Sequence, residues 1–109
     1  MIINITDLAK NALDNLFIEY NVNYKNIRLY LKEIAWHGPV FDLALDEAKE
    51  NDNIFEVDGY NVIIDKDLSD KFSVVNIYYN SFEYYGNFKI TTDFIWKDEY
   101  HYCDWSKKW

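Results

Sequence analysis

Three side chains in this sequence are of the types that bind transition metals, and they lie far apart along the chain. His37 follows a tryptophan in a Gly-Pro turn, while His101 and Cys103 stand two positions apart near the last residue. Imidazole and thiolate are both ligands of iron, zinc or copper, and three such groups with one open position can hold a metal. One hypothesis is therefore a metal site formed by these three residues. The alternative is that His37 is a solvated turn residue and that the other two are ordinary residues of the tail.

Acidic side chains cluster in the middle of the chain, where paired carboxylates could do acid–base work. They are Asp42, Asp46, Glu47, Glu50 and Asp52. Spacing places no histidine, lysine or nucleophile beside them, so we expect a structural role. The run 65–70 begins like a calcium loop but lacks the glycine that such a loop needs at its sixth position, which favours a solvated charged turn. The chain has no nucleophile elbow, phosphate-binding glycine loop or zinc-protease helix, and no enzyme activity is predicted.

The composition limits the classes of protein to which the chain can belong. Its 109 residues predict one domain, residues 1–109. The net charge of −8 disfavours nucleic acid and anionic membranes as partners. There is no apolar run long enough for a membrane span, and the first residues lack the pattern of a signal peptide. The single cysteine, Cys103, excludes an internal disulfide and an all-thiolate metal cage within one chain, and we expect a cytoplasmic protein.

The first element that the pattern predicts is a helix. Thr6 is a good N-cap, and Asp7 suits the positive end of a helix. Apolar residues then recur at spacings of three and four, as a single stripe on one helix face requires. They are Leu8, Ala12, Leu13, Leu16, Phe17 and Tyr20.

The remaining pattern predicts about six short strands joined mostly as antiparallel hairpins. Residues 27–31 and 41–45 alternate apolar and polar side chains on either side of the turn 36–39. Asp58-Gly59 between two β-rich runs is the strongest hairpin signal, because a type I′ turn needs positive φ at both central residues. Further β-prone runs span 74–79 and 82–90, and the tail from Thr91 shows no clear period. The fold class is α+β or mainly β, with the N-terminal helix packed on a compact antiparallel β-sandwich.

The segment 43–68, LALDEAKENDNIFEVDGYNVIIDKDL, resembles the HesB-like, or A-type, iron–sulfur biogenesis family. It is similar to a small subgroup from Gram-positive bacteria in which a Gly-Pro turn precedes LALDE, an F-x-V-D/N-G hairpin and a V-D-K-x-L segment. The resemblance covers most of the chain to about Ile90, and it implies the compact β-sandwich of that family with a helix on one side. The tail, residues 91–109, resembles no known pattern.

The residues that would hold a cluster depart from the family pattern. The resemblance implies a cysteine in the first turn and a later C-G-C pair, but the turn reads WHGP, with Trp36 at the cysteine position, and the pair is missing. The leading hypothesis is therefore a HesB-like scaffold protein that is not an enzyme and does not hold an Fe–S cluster in the usual way. It would be accessory to iron–sulfur metabolism, with iron–sulfur assembly proteins as partners. Iron or an Fe–S cluster is a cofactor only in the metal-site alternative.

Aromatic side chains crowd the last third of the chain, including Trp96, Tyr100, Tyr102, Trp105 and Trp109. Such a tail either folds back as a strand or lid or packs against another subunit, since tryptophan and tyrosine are favoured anchors at interfaces. A third hypothesis is therefore an interaction module that works through this tail. A homodimer is a further expectation.

Overall fold

A computed structural model describes residues 1–80 and 87–94 of the chain. Within these ranges the elements follow the order β1 Ile2–Ile5, α1 Asp7–Glu19, β2 Asn26–Ala35, β3 Gly38–Leu45, β4 Asp52–Val57, β5 Tyr60–Asp65, α2 Lys66–Ser69, β6 Val74–Asn80 and β7 Asn87–Thr92. The α+β, mainly-β class is confirmed.

The strands form two mixed sheets, one ordered β1-β6-β7 and the other β3-β2-β5-β4. The hairpins are antiparallel as expected, but β1 pairs with β6 and β2 pairs with β5 in parallel. The sheets are therefore mixed where mostly antiparallel pairing was predicted, and the prediction of a helix as the first element was wrong because strand β1 precedes it. The reason is that β1 has four residues and a partner some seventy positions away, so no local turn signal announces the pairing.

The core lies between the two sheets and helix α1. Ile27, Val62 and Ile64 from one sheet, and Val75 and Ile77 from the other, are buried in one cluster. Helix α1 contributes Ala9, Leu13 and Phe17, which are spaced four residues apart. The predicted stripe was partly wrong, because Leu8 and Tyr20 at its ends are 61% and 62% exposed.

Polar contacts cap the N-terminus of α1 and join the helix to the sheet. The Thr6 hydroxyl accepts a hydrogen bond from the Ala9 amide at 3.2 Å, as predicted for an N-cap. From β5, the Tyr60 hydroxyl donates to the Asp14 carboxylate at 2.7 Å and contacts the Lys10 carbonyl at 3.2 Å. Burial, and then the bond to Asp14, raise the pKa of Tyr60 to about 12, so this phenol stays protonated and ties α1 to the sheet.

Both predicted tight turns are present. Trp36 and His37 form the tip of the β2–β3 hairpin, where Ala35 pairs with Gly38. At the β4–β5 turn Asp58 and Gly59 have φ of 51° and 88°, so the type I′ prediction is confirmed.

The last strand extends further than the pattern suggested. Strand β7 runs to Thr92, so the first residues of the predicted tail belong to the sheet. Asp93 accepts hydrogen bonds from the Ser73 hydroxyl at 2.6 Å and from the backbone amide of Val74 at 2.9 Å. The Phe94 ring then packs on Phe41 at a centroid distance of 6.2 Å. No helix in residues 1–80 and 87–94 is long and apolar enough to cross a membrane.

Candidate functional site

The tip of the β2–β3 hairpin carries Trp36, which stands where the family resemblance implies a cysteine, and His37, which follows it. Trp36 is 96% exposed, and His37 is exposed beside it. The two rings meet edge to face, with centroids 5.4 Å apart and an interplanar angle of 80°. Ile34, two residues before Trp36, is also exposed. The hairpin tip (Ile34, Trp36 and His37) therefore presents apolar surface to solvent, which is typical of interaction sites.

The structure describes one of the three residues of the metal-site hypothesis. His37 lies at the hairpin tip, whereas His101 and Cys103 lie outside the described residues, so their grouping stays a prediction. Among residues 1–80 and 87–94, no three histidine, cysteine, aspartate or glutamate side chains lie close enough to hold a metal ion.

The central acidic residues meet a basic partner that the sequence analysis missed. Arg28 on β2 donates from Nε to Asp46 at 2.6 Å, and from Nη1 and Nη2 to the two carboxylate oxygens of Asp52 at 2.8 and 2.6 Å. A fourth contact joins Nη2 to the backbone carbonyl of Glu47 at 3.2 Å. The side chain of Asp52 is 4% exposed and that of Arg28 is 17% exposed. This Arg28 clasp (Arg28, Asp46 and Asp52) holds the connection between β3 and β4 against β2.

The electrostatics of the clasp assign it a structural role. The hydrogen bonds from Arg28 lower the pKa of Asp52 to about 2 and also lower the pKa of Asp46. The two carboxylates in turn raise the pKa of Arg28 above its already high value. Both acids are therefore ionised at neutral pH and bound by Arg28, an arrangement typical of a structural ion pair. The signal in the sequence that could have revealed this ion pair is an arginine at an outward-facing position of β2.

An open apolar groove lies between the C-terminal half of α1 and the end of β3. This α1–β3 groove has a volume of about 670 Å³. Its apolar lining includes Leu16 and Tyr20 from the helix, Ile27 from β2, and Leu43 and Leu45 from β3. Asp46 and Glu47 are the charged residues in its lining, and both are acidic.

Comparison with known proteins places the fold. No family model matches the sequence, and no curated protein matches it either. Among solved structures, IscA with a 2Fe-2S cluster has a TM-score of 0.70 at 18% identity, covering 84% of this chain and 86% of IscA. Escherichia coli SufA, described as involved in the biosynthesis of iron–sulfur clusters, has a TM-score of 0.66 at 17% identity, covering 87% of this chain and 83% of SufA. A protein from Aquifex aeolicus has a TM-score of 0.67 at 24% identity, covering 84% and 91% of the two chains.

These likenesses define the class of fold. The chain has the HesB/IscA-like fold, so the resemblance drawn from LALDE and EVDG is confirmed at that level. The IscA structure carries a 2Fe-2S cluster. In this chain the β2–β3 turn holds Trp36 and His37, and the single cysteine, Cys103, lies outside residues 1–80 and 87–94.

Proposed function

We propose that this chain is a non-catalytic accessory protein of iron–sulfur metabolism that works by binding other proteins and does not carry a cluster in the manner of its fold. The observation that carries the proposal is the hairpin tip. A scaffold of the HesB/IscA-like type is kept, but the turn that would supply the first thiolate presents a fully exposed tryptophan. Tryptophan has no donor atom for iron, whereas it is a strong anchor in protein interfaces.

The distribution of exposed apolar surface supports a binding role. At the hairpin tip Ile34 and Trp36 are 52% and 96% exposed, at the opposite end of the β2–β3 hairpin from the α1–β3 groove. Iron–sulfur assembly proteins are the partners that the fold suggests, and a second copy of the chain is the other. The proposal places this activity in the cytoplasm.

The proposal is tested by anaerobic reconstitution of the full chain with iron and sulfide, followed by visible spectroscopy after desalting. We expect the wild-type protein to retain no more chromophore than Cys103→Ser, because one thiolate per chain gives too few ligands for a stable cluster. Trp36→Cys is a matched variant that returns a thiol to the turn, and it tests whether the scaffold can still accept a cluster.

A chromophore of about one cluster per two chains in the wild type, lost in Cys103→Ser, would contradict the proposal. His37→Ala in the same series addresses the metal site of His37, His101 and Cys103. Bound iron or zinc that depends on both His37 and Cys103 would favour that alternative. Equal metal content in all variants would remove it.

A further inference from the structure

We propose that the α1–β3 groove is the docking site of the chain's own C-terminal segment, with residues 105–109 as its occupant. This inference concerns a binding surface within the molecule and does not depend on the proposed function. The groove is apolar, open and not filled by residues 1–80 or 87–94. A surface of this kind is costly in water unless something covers it.

The helix that forms one wall has more apolar surface than the core uses. The core uses Ala9, Leu13 and Phe17. A second apolar stripe, with residues spaced four apart, consists of Leu8, Ala12, Leu16 and Tyr20. Leu16 and Tyr20 from this second stripe line the groove. A helix with two adjacent apolar stripes is typical of one that packs against a further element.

The position of Phe94 puts the groove within reach of the residues that follow it. Phe94, the last described residue, packs on Phe41 in the middle of β3. The groove is lined by Leu43 and Leu45 on the same strand, about 7 Å and about 13 Å further along from Phe41. Residues 95–109 are long enough to span about 50 Å when extended, so the segment reaches the groove with length to spare.

The chemistry of the last five residues matches the groove. They read WSKKW, two tryptophans that flank two lysines. The charged residues that line the groove are Asp46, which Arg28 already engages, and Glu47, in a chain of net charge −8. Indole rings suit the apolar floor, and the ammonium groups of Lys107 and Lys108 suit the Glu47 carboxylate in an acidic chain.

Docking within one chain is favoured over docking into a second copy. A segment tethered beside its site experiences an effective concentration on the order of millimolar, which exceeds any usual protein concentration. The groove of the same molecule therefore fills first, provided that the connecting residues reach it.

The lone cysteine allows a direct test in the full chain. A nitroxide attached to Cys103 lies two residues before Trp105 and broadens the NMR signals of nearby amides. We expect the amide signals of Leu16, Tyr20 and Leu45 to lose more than half of their intensity relative to the reduced label. The amides of Trp36 and His37, at the far end of the hairpin, should lose much less.

Two variants and one mixing experiment decide the outcome. Trp105→Ala combined with Trp109→Ala should abolish the broadening at the groove, whereas Trp36→Ala, which removes another exposed tryptophan, should preserve it. Weak and uniform broadening in the parent protein would overturn the proposal. So would comparable broadening at the groove when nitroxide-labelled unenriched protein is mixed with ¹⁵N-enriched Cys103→Ser protein, because that result places the segment in a second copy.

Discussion

Arg28 shows how one side chain can assign a role to a whole cluster. Five acidic residues between positions 42 and 52 were expected to be structural, and Arg28 engages two of them. The bidentate contact with Asp52 matches the planar geometry of guanidinium and carboxylate. The backbone amide of Lys49 also donates a hydrogen bond to the Asp52 carboxylate at 2.7 Å. The cluster is therefore the support of the β3–β4 connection.

We expect Arg28→Met to lower the free energy of unfolding by about 2–4 kcal/mol at pH 7, because it leaves the buried Asp52 carboxylate without its counter-ion. Arg28→Lys should lose less, since it keeps the charge but not the two-pronged contact. Urea denaturation followed by circular dichroism measures both.

The pH dependence of the stability lost in Arg28→Met tests whether the ion pair is the cause of that loss. The pKa of Asp52 is about 2 in the folded protein and 3.8 ordinarily, so the contribution of the ion pair is present above pH 3.8 and disappears as the pH falls towards 2. The difference between the wild type and Arg28→Met should shrink over that interval. An equal difference at pH 7 and pH 2 would show that lost packing, and not the ion pair, is responsible.

At the scale of elements, the β4–β5 turn sets the register of its hairpin. Asp58 and Gly59 both lie at positive φ, and Val57 pairs directly with Tyr60. The register places Val62 and Ile64 in the core. A one-residue slip would turn them to the opposite face of the sheet.

Gly59→Ala should destabilise the protein by about 1–2 kcal/mol through backbone strain alone. A Cβ at this position meets nothing within 4 Å, so steric contact adds no further cost. Gly59→Asn is the matched comparison and should cost less, because asparagine tolerates positive φ. Thermal denaturation of the two variants measures the difference, and an asparagine variant no more stable than the alanine one would contradict the strain explanation.

At the scale of the whole molecule, aromatic rings join the two sheets along one side of the sandwich. Phe41 on β3 meets Phe72, which precedes β6, at 5.6 Å and Phe94, which follows β7, at 6.2 Å. Both contacts are edge to face, an arrangement that adds to the energy of burial. The Asp93 contacts with Ser73 and Val74 hold the end of β7 beside the start of β6.

Phe94→Ala should lower the free energy of unfolding by about 1–3 kcal/mol, because it removes a ring from the contact between the sheets. Tyr78→Ala is the control, since Tyr78 is an exposed aromatic residue of β6 and its loss should cost about 0.5 kcal/mol or less. Equal effects in urea denaturation would show that Phe94 does not join the sheets.

Local signals in the sequence accounted for the elements with nearby partners. The N-cap at Thr6, the turn at Asp58-Gly59 and the alternation of Ile27 and Leu29 each depend on a few neighbouring residues, and each is present in the structure. The parallel pairing of β1 with β6 and the exposure of Leu8 and Tyr20 were missed. Those features depend on which distant surface an apolar residue meets, and periodicity alone does not specify it.

The sequence by itself determined the ligand chemistry that one chain can offer. A single cysteine offers one thiolate per chain and a tryptophan in the Gly-Pro turn offers none, whatever the fold, because side-chain type fixes donor atoms. Only the tertiary structure decided that Asp46 and Asp52 form salt bridges with Arg28. It also decided that Trp36 is exposed at a hairpin tip and that a groove remains between α1 and β3. Those outcomes depend on side chains brought together from distant positions, where burial and charge act through space.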